Sequence, residues 1–187
     1  MDNEKTKIIF IHGNGGSTVN DNWFPYVKIK LEKLGLNVIA QTFPDNKLAR
    51  EQYWIPFLKN ELKADENTIL IGHSSGAVAS MRFAEKNKIL GSVLVGVSYT
   101  DLDNEDEKLS GYFNSPWNWK EIKNNQKWII QFASSDDPYI PIEEPRLVHK
   151  KLNTDYFEYK DQGHFGWNPV KLEFPEIIEE INNKISK

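Results

Sequence analysis

The stretches Ile8-Ile9-Phe10-Ile11 and Trp128-Ile129-Ile130 carry no polar residue on either alternating face. A strand of that kind has to be covered on both sides, which is the situation inside a parallel sheet. Six short segments read this way or nearly so: 7–11, 37–41, 68–71, 92–97, 128–133 and 156–160. Helical patterns lie between them. Tyr26, Ile29, Leu31 and Leu34 recur at helical spacing and stop at Gly35, a natural C-cap. Further amphipathic stretches cover 48–62, 78–87, 143–152 and 170–185. Regular strand–helix alternation with right-handed crossovers predicts a compact α/β fold. Its mostly parallel central sheet has about six strands, with helices on both faces. Residues 1–187 read as one domain, with little room for a lid.

One region breaks the alternation. Residues 98–118 look loop-like, acidic first (Asp101, Asp103, Glu105, Asp106, Glu107) and aromatic afterwards (Tyr112, Phe113, Pro116, Trp117). The acidic half reads as a solvated face. A calcium loop starting at Asp101 needs glycine and glutamate where Asp106 and Tyr112 stand. Gly13-Asn14-Gly15-Gly16 is not a dinucleotide fingerprint, because Thr18 falls where the third glycine belongs. It also lacks the Lys-Ser/Thr of a phosphate loop.

Composition excludes more. The chain has no cysteine, which removes disulfides, thiolate metal sites and thiol nucleophiles. With 23 basic and 27 acidic residues its formal charge is −4, so nothing draws it to nucleic acid or an anionic membrane. The polar N-terminus has no apolar stretch behind it, and cytoplasmic location is the expectation.

Gly72-His73-Ser74-Ser75-Gly76 carries the chemistry. It stands between a buried strand and a helix, the strand–turn–helix context in which Gly-X-Ser-X-Gly presents a nucleophilic serine on a strained elbow. The competing reading is a glycine-rich turn with a capping serine. Serine needs a base. His164 follows the last strand, in Gly163-His164-Phe165, and an acid follows the fifth, in Asp136-Asp137-Pro138. The pattern alone does not separate Asp136 from Asp137. The order serine, aspartate, histidine is that of α/β-hydrolases. Backbone amides of Ser75 and Asn14 are the expected oxyanion donors. Tyr112, Phe113, Trp117, Phe165 and Trp167 are expected to border the cleft as a substrate pocket, with core packing as the competing reading.

Together these motifs resemble the retinoblastoma-binding protein 9 family of small serine hydrolases, within the α/β-hydrolase superfamily. Trp54-Ile55-Pro56-Phe57, Ser110-Gly111-Tyr112-Phe113 and Pro116-Trp117 belong to the resemblance along with the serine elbow. It implies the compact α/β-hydrolase fold, a triad of Ser74, Asp137 and His164, and hydrolysis of small esters or amides with no metal or cofactor. The family's retinoblastoma-binding segment is Leu-X-Cys-X-Glu. Here it reads Leu62-Lys63-Ala64-Asp65-Glu66, with Ala64 replacing the cysteine, which argues against that partner. A monomer is expected, and the alternative function is a non-catalytic interaction module on the same fold.

Overall fold

The computed structural model describes residues 6–166 and 169–186. Among them, β1 (Lys7–Ile11), β2 (Asn37–Ile39), β3 (Thr68–His73), β4 (Gly91–Val95), β5 (Trp128–Ser134) and β6 (Asp155–Tyr159) form one sheet. Every pairing is parallel, and the order is β2-β1-β3-β4-β5-β6. The chain starts mid-sheet, steps out to β2, returns past β1 to β3 and continues to the far edge. The reversal between β1 and β3 is a topological switch point, where open α/β sheets bind ligands beyond their strand C-termini.

The helices are α1 (Phe24–Lys33), α2 (Glu51–Pro56), α3 (Ser75–Ala84), α4 (Glu105–Ser110), α5 (Trp119–Asn124), α6 (Glu143–Leu152) and α7 (Pro175–Ile185). Strand side chains alternate between two cores. Ile8 and Phe10 meet α1 and α7 on one face, while Ile9 and Ile11 meet α2, α3, α5 and α6 on the other. This two-sided cover is what the uninterrupted apolar strands require. Among the described residues no helix is long and apolar enough to cross a membrane.

Two local departures from the sequence reading have clear causes. The 48–62 pattern is not one helix: α2 passes into a π-helical turn over Phe57–Glu61. Pro56 has no N–H to give the α-ladder, and the register widens after it, so Leu62 N–H donates to Phe57 O five residues back. Leu62 itself is buried in the core. The acidic stretch is not all loop either. Asn104 caps α4, its side chain accepting the Asp106 and Glu107 amides, and Gly111 ends the helix with φ 89°.

The aromatic segment after α4 is gathered around one buried cation. Arg82 of α3 donates through Nε to Tyr112 O at 2.7 Å and through its terminal nitrogens to Ser115 O at 2.6 Å and Glu85 at 2.8 Å. Trp117 covers its guanidinium at 3.6 Å, and the Trp117 Nε1–H donates to Tyr99 O. Removing one partner of a buried pair leaves the other charge stranded. Arg82→Ala is therefore expected to cost about 3–5 kcal/mol in urea unfolding. Arg82→Lys should recover little, because a lysine cannot reach several acceptors in one plane. A small loss in the alanine variant would show that the loop is held by other means.

Candidate active site

The C-terminal end of β3 turns sharply into α3 at Ser74, whose backbone lies at φ 55°, ψ −123°. Such a conformation is costly for a residue with a side chain and persists only where its surroundings impose it. Here they do. A Cβ on Gly76 would stand 2.1 Å from Ile11 O, and one on Gly72 would stand 2.3 Å from Gly76 O. The two glycines let α3 press onto β1 and β3, and Ser74 N–H donates to Val95 O of β4 at 2.9 Å. Ser74 is left facing a cleft of about 410 Å³, lined also by Gly13, Asn14, Ser75, Glu107, Tyr139 and His164.

His164 reaches the same cleft from the loop after β6. Its Nδ1–H donates to Asp137 Oδ2 at 2.7 Å, with both side chains nearly sealed from solvent. The other Asp137 oxygen accepts the amides of Tyr139 and Ile140. Nε2 is thus the ring nitrogen left for Ser74. The neighbouring carboxylate does something else: Asp136 Oδ1 accepts from Gly163 N–H and from Ser134 Oγ, and Ser134 Oγ in turn accepts from Gln162 N–H. Asp137 orients the imidazole, and Asp136 holds the backbone that carries it. Gly96 sits beneath the pair; a Cβ there would lie 3.2 Å from the imidazole.

Two further histidines brace the site. His73 Nε2–H donates to His164 O at 2.8 Å, and the two rings lie 4.7 Å apart. Trp23 Nε1–H adds a second tether to the same loop at Phe165 O. His12 donates from Nδ1 to Gly13 O at 2.7 Å and accepts Phe43 N–H at Nε2. That fixes the Gly13–Asn14 peptide whose N–H borders the cleft. Among the described residues neither the Asn14 nor the Ser75 amide donates to a backbone carbonyl. The Ser75 amide also opens α3, at the positive end of its dipole.

The expected aromatic pocket is not where these residues lie. Tyr112 and Phe165 are fully buried. Phe113 and Trp117 pack against the core on the α3 face, and Phe165 stacks on Phe174. Trp167 lies outside the described residues. Composition placed aromatics near the cleft in sequence, but the domain's need to close its core claimed them. The cleft's own aromatic is Tyr139, edge-on to His164 at 5.2 Å. Glu107 was read as solvated; instead it turns inward, accepting from Asn14 Nδ2 at 2.7 Å. Burial pushes its carboxyl up, opposed by hydrogen bonds from Asn14 and Ser75. The signal for it was present: Asn104 with glutamate three residues on marks a helix start that would turn Glu107 off the loop.

Comparison with known proteins decides the family. The chain matches the serine hydrolase family over residues 8–183. It is 41% identical to the serine hydrolase RBBP9 of Rattus norvegicus, over 97% of this chain and 96% of that one. The chain belongs to the serine hydrolase family. The ydeN gene product of B. subtilis has the same fold, with a TM-score of 0.88, 23% identity and 97% of this chain and 100% of that chain covered. A Pyrococcus furiosus esterase, PF2001, superposes with a TM-score of 0.66 at 17% identity, over 97% of this chain and 81% of that one. Family membership supports hydrolase function for this chain, and the two solved structures show the fold.

The buried histidines give the fold a pH dependence of definite sign. Burial, with the neighbouring His164 adding to it, lowers the His73 pKa from 6.5 to about 3. Burial also lowers His12. Between those values the unfolded chain takes up a proton that folded His73 refuses, so acid favours unfolding. For His73 full stability holds above about pH 6.5, and up to about 1.4 kcal/mol per pH unit is lost below it, down to its folded value near 3. His12 adds a loss of the same sign. His73→Gln, which can still donate to His164 O, should show a shallower loss between pH 6.5 and 5 in urea titrations. An unchanged slope would place the acid sensitivity elsewhere.

Proposed function

We propose that this protein cleaves small ester or amide substrates through an acyl-enzyme formed on Ser74. The observation that carries the reading is the strained Ser74 sharing one cleft with an imidazole whose Nδ1 is committed to Asp137. Ser74 Oγ attacks the carbonyl carbon while His164 Nε2 takes its proton. Asp137 fixes the tautomer and stabilises the imidazolium as it forms. The Asn14 and Ser75 amides receive the developing oxyanion, each such donor being worth about 3 kcal/mol in the transition state. His164 then protonates the leaving alcohol or amine, and the bond to it breaks. Water, deprotonated by His164, releases the acid and restores Ser74.

The cleft's size favours small acyl groups. Leu102, Tyr139 and Ile140 supply its apolar side. Retinoblastoma-type docking through 62–66 is not part of this reading, since Leu62 is buried and Ala64 stands in the cysteine's place.

A fluorophosphonate probe tests the nucleophile. The folded protein should be labelled, with loss of fluoride and a new Ser74 Oγ–P bond, and Ser74→Ala should abolish labelling. A folded protein that takes no label would favour the interaction-module alternative. Selectivity is tested separately. Tyr139→Ala should raise KM for aromatic esters several-fold relative to acetyl esters, while Trp117→Ala should lower stability and leave that ratio alone. The reverse pattern would return the pocket to the aromatic segment.

A further inference from the structure

Glu107 spans the cleft from the one segment that interrupts the strand–helix alternation. It lines the same cavity as Ser74 and His164. Its Oε1 accepts from Asn14 Nδ2 at 2.7 Å and lies 3.5 Å from Ser75 Oγ, the outer limit of a hydrogen bond. Asn14 and Ser75 are the two residues whose amides border the oxyanion position. They belong to different elements, one in the loop after β1 and the other at the start of α3. One carboxylate oxygen joins both.

The Asn14 loop needs such a tether. It is flanked by Gly15 and Gly16 at φ 68° and 86°, where an added Cβ would meet nothing within 4 Å. The loop is therefore not packed in place on that side. Its anchors hold the main chain: Gly15 and Gly16 N–H donate to Lys47 O and Asn46 O, Ser17 N–H and Oγ donate to Asn14 O, and the His12 ring donates to Gly13 O, none of them touching the Asn14 side chain. Among the described residues, Glu107 is the side-chain partner of the Asn14 amide group. Glu107 is itself held, its N–H by the Asn104 cap and its carbonyl by Ser110 Oγ at 2.6 Å.

We infer that Glu107 is a positioning residue for the oxyanion site, acting through the Asn14 side chain to fix the backbone amides that receive the charge. This rests on the acyl-enzyme reading above. The role is one of hydrogen-bond geometry. A bare negative charge near a developing oxyanion would oppose it, and the Asn14 donor turns that charge to structural use.

The test is a cycle of variants on a p-nitrophenyl acetate assay, with fluorophosphonate labelling alongside. Glu107→Ala should lower kcat about 10- to 100-fold with KM changed less than about threefold, the scale set by misplacing an oxyanion donor. Glu107→Gln, whose Oε1 can still accept from Asn14, should recover most of that loss. Asn14→Ala keeps its backbone amide, so it should match Glu107→Ala, and the double variant should be no slower than either single one. Thermal unfolding of each variant checks that the fold is kept. If Glu107→Gln is as slow as Glu107→Ala, or if the two losses multiply, the positioning role is overturned. Failure of the wild type to label would instead overturn the acyl-enzyme reading itself.

Discussion

Gly76 and Ile11 approach so closely that the space between them admits no side-chain carbon. That contact brings α3 against β1 at the sheet's switch point, and the chemistry is arranged around it. The loop leaving β1 and the elbow leaving β3 are brought to a fixed separation by this main-chain contact. One carries the Asn14 amide and the other carries Ser74 and the Ser75 amide. The positive φ of Ser74 is the local cost of this geometry. The buried sheet beneath, with its two fully covered faces, supplies the rigidity that keeps the cost from being relieved.

The other half of the site is built differently. His164 lies on a loop after the edge strand β6, where little of the sheet can hold it. Its position is secured by hydrogen bonds at its own backbone and its neighbours', donated by His73 and Trp23 and accepted by Asp136, while Asp137 holds the ring. Two consecutive aspartates thus divide the labour. His73 links the halves directly, since it ends the strand that leads into Ser74 and donates to the His164 carbonyl. Either protonation state could donate that hydrogen bond; it is burial that keeps the His73 ring neutral.

Much of this was legible in the chain. The central strands β1, β3 and β4 announce themselves as short, almost uninterrupted apolar runs buried on both faces. The edge strands β2 and β6 are partly exposed, and β6 carries Asp155 and Glu158, so they stand out only through the strand–helix alternation. That Ser74, the Asp136–Asp137 pair and His164 meet at one edge could be read because each follows a strand, and a parallel sheet delivers every strand end to one edge. The pattern does not choose between the two aspartates, and only the resemblance points to Asp137. What could not be read depended on competition for the interior. Tyr112, Phe113, Trp117 and Phe165 have the composition of a pocket lining and equally that of core filler; only the three-dimensional closure of a small domain decides between them. Arg82's hold on the aromatic segment gave no signal, since its acceptors there are backbone carbonyls that every residue possesses. For Glu107 the one cue is the Asn104 helix start, which its charged neighbours outweigh. A single inward turn of a short helix separates a solvated carboxylate from one that reaches the cleft.

Arg82 fixes the route of the segment after α4 by gripping the carbonyls of Tyr112 and Ser115, and not its side chains. Asn114, Ser115 and Pro116 project outward from that route. The path is thereby separated from the lettering: side chains at these three positions can change without altering where the chain runs, while the buried Tyr112 and the ring of Trp117 mark the ends of the freedom. A loop held through its main chain, with three exposed residues at its crest, thus lies one short helix away from the cleft.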